Sequence, residues 1–109
     1  MGLQSQRGEN MGIDVLTEDN TCTIRPKGWI DSSNAAELDG VVVKQASLFE
    51  KMVLDFAEVE YISSAGLRVI VNAHRAMEKK QGLLIKNMNS SVFDIIKLTG
   101  FDKKLNIEK

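Results

Sequence analysis

The chain has 109 residues, enough for one domain with its own core and too few for two. Hydrophobic residues make up 43%, charged residues 27% and the formal net charge is −1, which argues against both a disordered polyelectrolyte and a basic nucleic-acid footprint. One Cys and one His exclude an internal disulfide framework and a Cys/His zinc site, and no apolar run approaches membrane-spanning length.

Residues 1–10 (MGLQSQRGEN) are polar and aperiodic and are expected to be a disordered leader or an expression remnant, with Met11 as an alternative start and the domain spanning 11–109. The leader lacks the charged-then-apolar layout of a signal peptide, so a cytoplasmic location is expected. Residues 11–17 and 21–28 read as strands joined by a tight turn at Glu18-Asp19-Asn20. Pro26, with no amide donor, belongs at an edge or near the end of its strand. Asn34 with Glu37 three residues on resembles a capping box, opening a helix to about residue 46 with Ala36, Leu38, Val42 and Ala46 on its apolar side. A short strand follows at 51–56, then a loop, a helix over about 64–80, and a strand at 83–87. Asn89-Ser90-Ser91 caps a third helix, with Val92, Phe93, Ile95, Ile96 and Leu98 inward or flanking and Gly100 as its stop; 104–107 is a short last strand. The alternation predicts an α/β fold, a small mixed sheet of four to five strands covered by three to four amphipathic helices.

The stretch Tyr61-Ile62-Ser63-Ser64-Ala65-Gly66-Leu67-Arg68 carries most information. Two serines stand at the start of the long helix, where unpaired amides and the positive dipole end favour negative charge. At 100° per residue, Ile70, Ala73, Ala76, Met77 and Val69 gather into an apolar arc, while Arg68, Asn72, Arg75 and Lys79 form a polar stripe opposite. Ser64 falls beside that stripe, and Leu67 and Val71 are expected at its exposed edge. Ala65 and Gly66 leave room for a close approach by another backbone or a large ligand. On helix chemistry alone the serines read first as caps, a role serine fills constantly, and only second as functional hydroxyls.

Tyr61 to Val69 resembles the signature of STAS domains, found in anti-sigma-factor antagonists and in the cytoplasmic tails of anion transporters. Gly28-Trp29-Ile30-Asp31 with Ala36-Glu37-Leu38, Gly82-Leu83-Leu84-Ile85 and Leu98-Thr99-Gly100-Phe101 are similar to further blocks of that family, so the resemblance covers roughly residues 11–107. It implies a non-catalytic switch that binds an anti-sigma factor, often a serine kinase with its own ATP, and so frees a sigma factor. The kinase phosphorylates a serine at the start of the long helix, the antagonist lets go, and a phosphatase resets it. Aligning Gly66-Leu67 with the family's Gly-Leu puts Ser64 at the phosphoacceptor. Ser63 stands where many members carry Asp, which makes it a second candidate, and Asp31 matches the acidic residue beside the site. The partner-binding set implied is Asp31, Ser63, Ala65, Gly66, Leu67, Arg68, Val71, Asn72 and Arg75. No cofactor, metal, nucleic acid or membrane is implied, and a monomer or weak dimer is expected. The alternative is a STAS module acting as an unphosphorylated scaffold in a larger signalling complex.

Other residues read as structural. Cys22 is a buried strand residue, His74 a half-exposed histidine, and Met52, Met77 and Met88 fill core or flank positions. Trp29 is either a partner contact or an end-of-strand core anchor. A hydrolase is disfavoured, because the serines lack a Gly-x-Ser-x-Gly elbow and His74 lies about 15 Å along the helix from Ser64.

Overall fold

The computed structural model describes residues 4–7 and 12–108; Met1–Leu3 and Gly8–Asn10 of the expected leader, with Met11, lie outside the described residues. Of that leader, Gln4–Arg7 forms a strand, β1, paired antiparallel with β2 (Asp14–Glu18), so this part joins the sheet instead of standing outside the fold. It provides backbone partners for what would otherwise be an open edge of β2. The turn after β2 is as expected: Asp19 takes φ 55°, a conformation Asp tolerates, and Glu18 pairs with Thr21 at the head of β3 (Thr21–Arg25).

The strand expected over 21–28 is broken at Pro26. The proline cannot donate to the ladder, so the chain leaves the sheet there, and β4 (Lys27–Ile30) pairs elsewhere. Its partner is β6 (Glu58–Ile62), a strand where a loop was expected. The two form a parallel two-stranded ribbon apart from the main sheet. That sheet has six strands in the order β1-β2-β3-β5-β7-β8, where β5 is Lys51–Asp55, β7 is Leu83–Lys86 and β8 is Asn106–Glu108. Pairing is antiparallel from β1 to β3 and parallel from β3 to β8, the mixed sheet anticipated but wider by the N-terminal strand.

Three α-helices make the crossovers: α1 (Ala35–Leu48), α2 (Ser64–Met77) and α3 (Ser90–Thr99). The core they share with the sheet includes Ile24, Met52, Leu54 and Ile85 from strands and Leu38, Val42, Ile70, Met77 and Ile96 from helices. Three apolar assignments need correction. Ala35, not Ala36, is buried on α1, and Ala76 of α2 is exposed. Leu98, expected inward or flanking on α3, is 87% exposed. Ala36 and Ala76 adjoin the buried Ala35 and Met77, one position off the inward face of their helices, while Leu98 lies in the last turn of α3.

Local chemistry explains the ends. Gly100 adopts φ 81° and stops α3, a left-handed cap that a side chain would oppose. Helix α1 has no basic residue in its last turn, but Lys80, from beyond α2, donates its Nζ to the carbonyls of Ala46 (2.6 Å) and Phe49 (3.2 Å). Cys22 is fully buried, and burial pushes its thiol up to about 11 even though a backbone hydrogen bond acts the other way. A thiol reagent such as dithionitrobenzoate is therefore expected to leave the native protein unmodified and to react only once it is unfolded.

Candidate partner-binding and phosphorylation site

The site is assembled where the β4–β6 ribbon ends. Ile30, the last residue of β4, is fully buried and accepts a hydrogen bond through its carbonyl from the Ser63 amide at 2.8 Å. This bond ties the loop after β4 to the start of α2. The loop is stiffened from within. The Asp31 carboxylate accepts from the Ser33 hydroxyl (2.6 Å) and the Ser33 amide (2.9 Å). Those two bonds hold its pKa below the ordinary carboxylate value against a small opposing effect of burial. Asn34 does not cap α1 with its side chain as a capping box would. Its Oδ1 accepts from the Asp31 amide (2.9 Å) and its Nδ2 donates to the Trp29 carbonyl (2.8 Å), so the amide group is occupied in closing the loop.

Helix α2 begins with its two serines in different environments. Ser63 is the N-cap: its Oγ accepts from the Ala65 amide at 3.2 Å and its carbonyl from the Leu67 amide at 2.9 Å. It is half-buried. Ser64, the first helical residue, is exposed. On the helix wheel it lies about 40° from Arg68. Arg68, Asn72 and Arg75 are all exposed, so the polar stripe anticipated from the pattern does face outward.

Four of the nominated residues stand elsewhere. Gly66 and Leu67 are buried, and Ala65 and Val71 are half-buried. The close approach that Gly66 permits is made by the domain itself. A Cβ at Gly66 would lie 3.0 Å from Ile30 Cγ2, 3.1 Å from the Ile30 carbonyl oxygen and 3.2 Å from Ile62 Cβ. Leu67 is only 8% exposed, one turn before Val71 on the same flank of α2, so it offers little apolar surface to a partner. Val71 lines a groove with His74, Arg75, Phe101, Lys104 and Leu105, on the side of α2 that faces the C-terminal segment.

The apolar feature at this end is one that helix periodicity does not reveal. Trp29 is 58% exposed and Tyr61 38% exposed, with ring centroids 4.9 Å apart at an interplanar angle of 45°. The core-anchor reading of Trp29 is thereby overturned. Alternation could have signalled it, since the neighbours Ile30 and Ile62 are the inward residues of the ribbon, but the register shift between Gly28 and Trp29 breaks the period. Among the described residues no cluster of His, Cys, Asp or Glu is arranged to hold a metal, and no helix is long and apolar enough to cross a membrane.

A second network lies at the far ends of the parallel strands. Asp55 is 5% exposed; its Oδ2 accepts from Arg25 Nε (3.1 Å), and its Oδ1 from the Ala57 amide (3.1 Å) and Asn87 Nδ2 (2.9 Å). Burial alone would raise its pKa, but Asn87, Ala57 and the Arg25 charge together outweigh it and hold the carboxyl below its ordinary value. The network fixes the turn that leads from β5 into β6, and β6 runs directly into Ser63.

Comparison with known proteins agrees with this architecture. A family model for the STAS domain matches residues 12–109. A Bordetella bronchiseptica protein named as an anti-sigma factor antagonist, BtrV, is 32% identical over 77 residues, covering 69% of this chain and 66% of its own length, just under two thirds. A solved Thermotoga maritima structure described as an anti-sigma factor antagonist superposes with a TM-score of 0.79 at 23% identity, covering 87% of this chain and 84% of its own. The Bacillus cell fate determinant SpoIIAA, in its phosphorylated form, does so with a TM-score of 0.68 at 13% identity over 99% of this chain and 92% of its own. At such identities the two structures establish the fold alone. With the family model spanning nearly the whole chain, this protein belongs to the STAS domain family, with anti-sigma factor antagonists as its relatives.

Proposed function

We propose that this STAS domain binds an anti-sigma factor, itself an ATP-dependent serine kinase, and so releases a sigma factor, and that phosphorylation of Ser64 ends the complex until a phosphatase resets it. The domain acts as a cytoplasmic binding switch, not as an enzyme. The observation that carries the reading is the division of labour at the start of α2. Ser63 supplies the helix cap, which leaves the exposed Ser64 hydroxyl with no part in capping. The relatives named as anti-sigma factor antagonists and the phosphorylated form of SpoIIAA support it.

The physical basis is charge. A phosphate adds about −1.5 to −2 charges and three acceptor oxygens. In the free domain it would sit at the positive end of α2 with Arg68 one turn away, so the fold tolerates it. Under a tightly packed partner the same group has to be desolvated and meets the partner's own charges, so affinity falls.

The test is to measure binding of the cognate kinase by calorimetry for wild type, Ser64→Ala and Ser64→Asp, with phosphate transfer from radiolabelled ATP followed in parallel. Ser64→Ala is expected to bind as wild type and accept no phosphate, and Ser64→Asp to bind at least about tenfold more weakly. Label on Ser63 would move the switch to that second candidate, and unchanged affinity of Ser64→Asp together with no transfer to either serine would favour the unphosphorylated scaffold instead.

A further inference from the structure

The core of the domain is well sealed, yet its only tryptophan stands 58% exposed against a tyrosine that is itself 38% exposed. Neither ring is needed to close the interior, because the inward positions of the two strands here are held by the next residues, Ile30 and Ile62, which are fully buried. The tryptophan forgoes over half, and the tyrosine over a third, of the burial each could obtain, which marks a surface covered by something else. We propose that the Trp29–Tyr61 pair is the apolar anchor onto which the anti-sigma factor docks, with Ser64 at the rim of the same interface. It rests on the reading of Ser64 given above and adds where the partner grips.

Continuity with the switch residue comes from the backbone. Trp29 and Tyr61 are register partners on the β4–β6 ribbon, followed by the pair Ile30 and Ile62. The next residues along the two strands are Asp31 and Ser63, and the Ser63 amide donates to the Ile30 carbonyl at 2.8 Å. Ser64 comes next. Rings and hydroxyl therefore stand on one rigid piece of main chain.

The anchor is also preorganised. The Trp29 carbonyl is held by Asn34 Nδ2 at 2.8 Å, and the Tyr61 ring packs at 4.9 Å from its own. Two stiff aromatic side chains offer a large contact area at little loss of rotamer freedom. The polar surroundings select the partner's chemistry. The amino end of α2 and the exposed Arg68, one turn from Ser64, favour carboxylates. The segment that fits is an apolar side chain seated on the rings with an acidic residue beside it, facing α2. A phosphate on Ser64 then stands against that acidic residue, while the apolar contact is left intact and insufficient by itself.

The sole tryptophan makes the idea directly measurable. A chain labelled with 5-fluorotryptophan gives one fluorine resonance, which is expected to shift and lose its solvent-isotope effect when the purified cognate anti-sigma factor is added. By calorimetry Trp29→Ala is expected to weaken binding about thirtyfold and Tyr61→Ala about tenfold, with Tyr61→Phe within about twofold and all three keeping native circular dichroism. Wild-type affinity in both alanine variants overturns the anchor. Parallel measurement of Ser64→Asp separates the two ideas. Weak binding by Ser64→Asp with Trp29→Ala unaffected refutes the anchor and leaves the switch. The opposite pattern refutes the switch and leaves the anchor. A fluorine shift produced by concentrating the chain alone would assign the patch to self-association and also overturn the proposal.

Discussion

Replacing Gly66 by valine is expected to destabilise the domain by about 3 kcal/mol, although valine has the higher intrinsic helix propensity. The reason is the first turn of α2. A Cβ there meets Ile30 Cγ2 at 3.0 Å, the Ile30 carbonyl oxygen at 3.1 Å and Ile62 Cβ at 3.2 Å. One of these is backbone, and that oxygen also accepts the Ser63 amide at 2.8 Å. It cannot retreat without loosening the bond that joins the loop after β4 to the start of α2. A single methyl, as in Gly66→Ala, sets a helix-propensity gain of about 1 kcal/mol against the squeeze. The two further methyls of valine have no such offset. Urea unfolding monitored by circular dichroism measures the loss, and a change below about 1 kcal/mol would show that α2 and β4 can separate freely. Because Asp31, Ser63 and Ser64 all depend on this junction, partner affinity should fall further than the stability loss alone accounts for.

Asp55→Ala is expected to cost about 2–3 kcal/mol at neutral pH, since it leaves the Ala57 amide, Asn87 Nδ2 and Arg25 Nε without their shared acceptor. Arg25 has a side-chain exposure of 43%, so water can partly solvate it, which keeps the figure below that for breaking a fully buried ion pair. The pH dependence follows from the lowered pKa of Asp55. The folded state binds its proton less readily than the unfolded chain does. Its contribution is therefore fully present above the unfolded value of about 4 and is lost as pH falls through the lower folded value. Wild type should lose stability below about pH 4, and Asp55→Asn, which keeps acceptor oxygen but no charge, should show a shallower acid limb. Asp31, whose pKa is lowered as well, contributes with the same sign and leaves some slope in that variant. An acid limb identical in wild type and Asp55→Asn would mean that the Asp55 network does not survive in solution.

How much of this was readable beforehand depends on the range of the interactions involved. The Asp19-Asn20 turn, the polar stripe Arg68-Asn72-Arg75 and the Gly100 stop were legible, because a hairpin turn, a helix face and a left-handed cap are decided by residues within a few positions of one another. Strand β6 was not. Its burial runs exposed, buried, exposed, exposed, buried, which has no period of two, and the strand it pairs with lies about thirty residues upstream. Leu67 and Leu98 were misplaced for a related reason. The edge of an apolar arc is exposed or buried according to which neighbour lies over it, and the fold covers Leu67 while leaving Leu98 87% exposed.

By itself, the order of residues determined the family, the alternation of strands and helices, and the presence of serines at the start of the long helix. Only the folded arrangement decided which serine is tied up as a cap, that Gly66 serves an internal contact and not a visitor, and that two rings thirty-two positions apart form one exposed patch. Propensity and periodicity act between near neighbours in the chain, whereas exclusion of water and contact between distant segments arise only after the segments have packed.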